Sequence, residues 1–214
     1  MTAKRGHLER RVAVLWFRAY RLVTLIEIAL LTGFLLTFIG VASIPIISLR
    51  SAVSQHISIA ALLPLGLSIA MSIRSDPGIR EIEITWPTSH RYSRLAFELF
   101  GATILMLPAA ALIIVSATDG IALQVLRNTL GLVGLSLMAV VIFGSKFGWS
   151  IPTVYVFVAL TMGVNANGSI SPWALLLKPR VSVVGWAVDL VIFVVGMFLF
   201  SWLGPRSHLG DEDI

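Results

Sequence analysis

Four charged side chains stand inside the apolar runs of this chain: Glu27, Glu98, Arg127 and Asp189. A charge at the centre of a bilayer costs about 2.5–3.5 kcal/mol on insertion scales, so such residues pair, line a water-filled path or carry function. Glu98 lies four residues after Arg94, the spacing of a local ion pair on one helix face. Glu27 has Arg21 or Arg94 as candidate partners, and either glutamate could serve as a proton site. Arg127 and Asp189 each fall about two turns from the edge of their runs. They are expected at similar depth, as an ion pair or sharing a water-filled pocket. A structural pair or a snorkelling side chain outweighs direct substrate contact for all four.

A second group sits in the polar break at 74–94, RSDPGIREIEITWPTSHRYSR. Asp76-Pro77-Gly78 is turn chemistry, because Pro presets one φ and Gly tolerates a positive φ at the next position. Residues 79–85 alternate apolar and charged side chains. Pro87 pushes Trp86 out of the α region and ends that element, and Thr88 or Ser89 can cap a following helix. A turn, a short helix, a break and a second helix fit a docking element. A solvated connector is the plainer reading.

Other chemistries are missing from the sequence. His7, His56, His90 and His208 are scattered, with no metal-ligand spacing. There is no cysteine, hence no disulfide or thiolate. No zinc-protease motif, nucleophile elbow or phosphate-binding loop occurs; Gly144-Ser145-Lys146 lacks the preceding glycine. Asn167-Gly168-Ser169 matches a glycosylation triplet, a pattern common by chance.

The elements that must position these residues are membrane spans. Only 13% of the 214 residues are charged, against about 25% in soluble domains, and the mean hydropathy is +0.92. The chain therefore reads as one all-α polytopic membrane domain. The first apolar run is too long for a signal-peptide core and lacks an evident cleavage site. Residues 1–21 form a basic, partly amphipathic arm suited to the interface. Six spans follow, at 23–47, 57–73, 95–117, 121–143, 151–164 and 181–203. The second is broken by Pro64 and Gly66, the third contains Pro108, and the fifth is short for a crossing unless it starts near Phe147. Ser171-Pro172 reads as a helix start, so the outer loop at 165–180 is expected to carry a short helix in the outer leaflet. A polar tail occupies 204–214. With both termini inside, twelve Lys and Arg residues fall on the cytoplasmic side, and Arg50, Arg127, Lys178 and Arg180 outside; this asymmetry orients the chain in the cell membrane. The basic residues flank spans, so membrane orientation rather than nucleic acid accounts for the net charge of +5. No internal repeat of the secondary-transporter kind is evident.

The 74–94 segment resembles the cytoplasmic segment between the second and third spans of ABC exporter permeases, the group of drug, polysaccharide and bacteriocin-immunity exporters. Those segments carry a glutamate, a short apolar stretch, then a proline followed two residues later by serine or threonine. Glu81, Ile82, Ile84, Pro87 and Ser89 fit that order. Glu83 stands where the family has an apolar residue, and Trp86 where it has a small one. The resemblance covers nearly the whole chain as topology and about ten residues as motif. It implies six spans, an amphipathic helix before the first, and a coupling helix that docks on a separate ATPase subunit through Ile79, Glu81, Ile82, Glu83, Ile84, Trp86, Pro87 and Ser89. It also implies a second permease subunit, with ATP and Mg held by the partner and no cofactor in this chain. Two rivals come from other classes: a membrane scaffold or assembly subunit, and a proton-coupled secondary transporter using Glu27 or Glu98.

Overall fold

The computed structural model describes residues 22–39, 42–47, 54–74, 99–107, 120–178 and 182–204. The basic arm, the loop at 75–94, most of the third apolar run and the tail after Gly204 lie outside the described residues. So do Glu98 and all of the coupling candidates from Ile79 to Ser89.

Helix dominates what is described. Helix α1 spans Leu22–Ile39. It stops well short of the expected span end at Ile47, and this corrects the all-α reading. Strands β1 (Ser43–Ile47) and β2 (Ser54–Ser58) form an antiparallel hairpin, with Pro45 opposite His56. The reason is local. Pro45 has no N–H to continue a helix, and Ile44, Ile46 and Ile47 are β-branched. High hydropathy does not distinguish a short apolar strand from helix. The amide of Ile59 then bonds the carbonyl of Ala42 at 2.9 Å, tying the hairpin to the next element.

A 3-10 turn, Ile59–Ala61, leads into α2, Leu63–Arg74. Pro64 does not break this helix. It falls in the first turn, where its missing N–H is not needed. Residues 99–107 are helical (α3). Helix α4, Ile121–Phe143, runs 23 residues, about 34 Å at 1.5 Å per residue. It is bounded by Gly120 and Gly144, with φ of 54° and 85°, values that glycine adopts without a Cβ clash. A 3-10 turn at Ser145–Phe147 precedes α5, Ser150–Met162. Thirteen residues reach about 20 Å, short of a hydrocarbon core of about 30 Å. Helix α6, Val183–Leu203, is capped at its start by the Ser182 hydroxyl, which accepts from the Gly185 amide, and stops at Gly204 with φ 70°.

The expected short helix at 171–178 is a turn followed by a 3-10 turn, Leu175–Leu177. Before it, the Asn167-Gly168-Ser169 triplet is a tight turn: Asn167 Oδ1 accepts from the Ser169 amide and hydroxyl, and Gly168 takes φ +78°.

Helix α4 is the central helix. Val133, Leu137 and Val140 are fully buried and meet Leu67 and Met71 of α2, Leu105 of α3, and Phe193 and Met197 of α6 in one core. The Ser136 hydroxyl donates to the Ser68 carbonyl at 2.9 Å, fastening α2 to α4. Helices α4 and α6 meet through glycine. A Cβ on Gly134 would lie 2.6 Å from the Ile192 carbonyl oxygen, and one on Gly196 would strike Gly134 itself. Small residues of this kind let helix backbones touch. Arg127 faces Asp189 and Gly134 faces Gly196, an equal step along both helices, so α4 and α6 run parallel. The chain returns between them through α5. Two of the described helices, α4 and α6, are long and apolar enough to cross a membrane.

Candidate functional site

Gln124, Arg127 and Asn128 share one face of α4, three and four residues apart. That face meets the 171–178 segment, whose non-helical backbone needs hydrogen-bond partners wherever it is buried. Leu175 and Leu176 are buried there, and side chains supply the partners. Arg127, 0% exposed, places Nη2 at 2.9 Å from the Leu175 carbonyl and 3.1 Å from that of Lys178. Asn128 Nδ2 and Gln124 Nε2 both donate to the Leu176 carbonyl, at 3.3 and 3.4 Å. From α5, the Tyr155 hydroxyl donates to the Trp173 carbonyl at 3.2 Å and accepts from the Leu176 amide at 3.4 Å. The carbonyls of residues 173, 175, 176 and 178 are thus served by side chains of two helices.

Asp189 of α6 completes the cluster. Its Oδ2 lies 3.4 Å from Arg127 Nε, and the residue is 5% exposed. This is charge attraction without a directed bond, because Oδ2 receives no hydrogen bond among the described residues. Arg127 is further held by Asn128 Oδ1, 2.9 Å from Nη2 and 3.3 Å from Nε. Two glycines make room. A Cβ on Gly131 would overlap Asp189 Oδ1, and one on Gly185 would lie 3.1 Å from Arg127 Nη1. The structure thus joins two of the four sequence-selected charges. Glu27 takes no part in the cluster: it is exposed on α1, which packs against α2.

Beside the cluster is a cavity of about 330 Å³ between α4, α5, α6 and the 171–178 segment. Its walls are mostly apolar, including Leu132, Leu135, Val184, Val188 and Ile192, while Asn128, Tyr155, Lys178 and Asp189 bring polar groups to it. A largely apolar pocket with a few convergent polar groups is the form of a small-molecule site.

No protein-family model matches this chain. No curated protein and no solved structure matches it either.

No nucleophile sits against a base in the cluster, and no group of three or more metal-ligating side chains occurs among the described residues. Sequence reasoning singled out Arg127 and Asp189 but missed Tyr155, Gly131 and Gly185. Tyr155 carried a faint signal as the one phenol in an otherwise apolar run. The glycines carried none, because their role is to leave space for side chains distant in sequence.

Proposed function

We propose that the chain is the membrane-spanning permease subunit of an ATP-driven exporter of the ABC type, paired with a second permease subunit and driven by a separate ATPase. The observation that carries the membrane part is the returning segment at 171–178. Its carbonyls are served by Arg127, Asn128, Gln124 and Tyr155 rather than left to solvent. Irregular backbone at membrane depth is tolerated only where protein or a wet cavity satisfies it. The outer face of α6 agrees with this. Val191, Val194, Val195 and Phe198 are exposed along it, and Trp202 stands exposed near the same end of the bundle as Trp149, where indole rings suit an interface. The parallel run of α4 and α6 is joined by a return through the thirteen-residue α5.

The coupling part rests on residues 79–89. Closure of the ATPases would push this segment and tilt the flanking helices, opening a path at the permease–permease interface. Trp86 is the candidate anchor, since buried aromatics dominate binding energetics. Glu81 and Glu83 would meet basic or amide groups, and Pro87 would set the exit angle.

The test is co-purification with a candidate ATPase subunit, in mild detergent, with ATP turnover measured. Trp86→Ala is expected to weaken association by about 2 kcal/mol, roughly thirtyfold. A fully assembled complex with normal turnover rules out Trp86 as the anchor. A chain that stays stable with no ATPase bound supports the scaffold reading instead.

A further inference from the structure

We propose that the cavity between α4, α6 and the 171–178 segment is a binding site for a single-chain amphiphile with an anionic head. The site would hold whether or not an ATPase drives the chain. Three observations support it. The first is shape: Leu132 and Leu135 of α4 line the cavity together with Val184, Val188 and Ile192 of α6. The last three recur every fourth residue, so they form one stripe along a helix, and the result is an apolar slot parallel to the two helices. The second is size. At about 30 Å³ per water-sized group, 330 Å³ holds roughly ten heavy atoms, an acyl chain of medium length rather than a whole lipid.

The third is charge. Asp189 lies 3.4 Å from Arg127, and Arg127 Nη2 donates to the Asn128 side chain and to the carbonyls of Leu175 and Lys178. Lys178 also lines the cavity. Its backbone carbonyl and amide are bonded, and its charge acts on Asp189 alongside that of Arg127. Among the described residues, the polar end of the slot therefore holds two cations, Arg127 and Lys178, against the single carboxylate of Asp189. A carboxylate or phosphate head at Lys178 compensates the excess. A cationic head would meet two cations against one carboxylate. Tyr155 and Trp173 also line the cavity.

Trp173 provides the readout. Purified protein in non-ionic detergent would be titrated with ω-bromooctanoate, whose bromine quenches nearby indole fluorescence, and in parallel with ω-bromooctanol and an ω-bromooctyl trimethylammonium salt. The carboxylate is expected to quench saturably, at least tenfold more tightly than the alcohol, with the cation weakest. The saturable part should vanish in Trp173→Phe. Lys178→Gln is expected to bring the carboxylate to the level of the alcohol, and Val188→Phe to abolish both by filling the slot. A brominated anionic phospholipid tests the source of the chain: saturable quenching at similar affinity assigns a membrane lipid, and its failure beside a positive carboxylate assigns a free acid. Unsaturable quenching that persists in Trp173→Phe means partition into the micelle and overturns the proposal. Equal affinity for all three heads, or a preference unchanged in Lys178→Gln, overturns it too. A circular dichroism spectrum for each variant separates lost binding from lost fold.

Discussion

Arg127 serves the 171–178 segment by donating to the carbonyls of Leu175 and Lys178, the first of which also accepts from the Lys178 amide. Its guanidinium is suited to this because it offers five N–H donors in a rigid fork and stays charged. This makes the Arg127–Asp189 pair unequal. Arg127→Met leaves a buried carboxylate alone and strips donors from Leu175 and Lys178. The first effect alone is worth about 3–5 kcal/mol. Asp189→Asn leaves Arg127 with its carbonyls and Asn128, and should cost about 1–2 kcal/mol. The double change should cost no more than Arg127→Met alone, since neighbours in one network are not additive. Thermal unfolding in detergent, followed by tryptophan fluorescence, measures all three. Equal losses from the two single changes, with an additive double, would contradict the carbonyl-clamping role. Tyr155→Phe tests the same segment from α5. It removes the acceptor of the Leu176 amide and one of two donors to the Trp173 carbonyl, which keeps the Leu175 amide, and should destabilise by about 1–3 kcal/mol.

At the scale of elements, the contact between α4 and α6 depends on missing side chains. Gly134 lies against the Ile192 carbonyl and the Phe193 Cα, so any Cβ there must move backbone rather than a flexible tip. Gly134→Leu should separate the helices, open the Arg127–Asp189 distance and reduce folded yield more than Arg127→Met does. Gly66 of α2 is the contrast. Nothing lies within 4 Å of a Cβ built there, and its position in a helix makes glycine costly. Gly66→Ala should be stabilising by about 0.4–1 kcal/mol. Size-exclusion yield and midpoint temperature distinguish the two. A Gly66→Ala protein that loses stability would point to an occupant of that surface outside the described residues.

At the scale of the whole molecule, orientation is the quantity to measure. The chain has no cysteine, so single cysteines report cleanly. Cysteines at Ser75 and Ser207 should resist a membrane-impermeant thiol reagent in intact cells, while one at Ser169, exposed in the tight turn after α5, should react. Labelling of Ser75 from outside would reverse the assignment and put the coupling segment on the wrong side for an ATPase.

The two helices long and apolar enough to cross a membrane were legible in the amino-acid order. The apolar stretch of α4 is long, its ends are marked by Gly120 and Gly144, and Gly204-Pro205 closes α6. Such signals are local, set by propensity and by the φ that glycine and proline permit. The rarity of charge in apolar runs also singled out Arg127 and Asp189, because an unpaired charge there is costly wherever the chain goes. The hairpin at 43–58 was misread. Hydropathy measures transfer and not conformation, and Pro45, the local clue, was outweighed by the isoleucines around it. Tertiary structure alone decided what Arg127 holds. The carbonyls of Leu175 and Lys178 lie about fifty residues away in sequence, and a carbonyl carries no residue-type signature: every residue has one. The same holds for Gly131 and Gly185, whose lack of a side chain acquires meaning only once Asp189 and Arg127 lie across from them. It holds for the cavity too, because a void belongs to the packing of four elements and to no single residue.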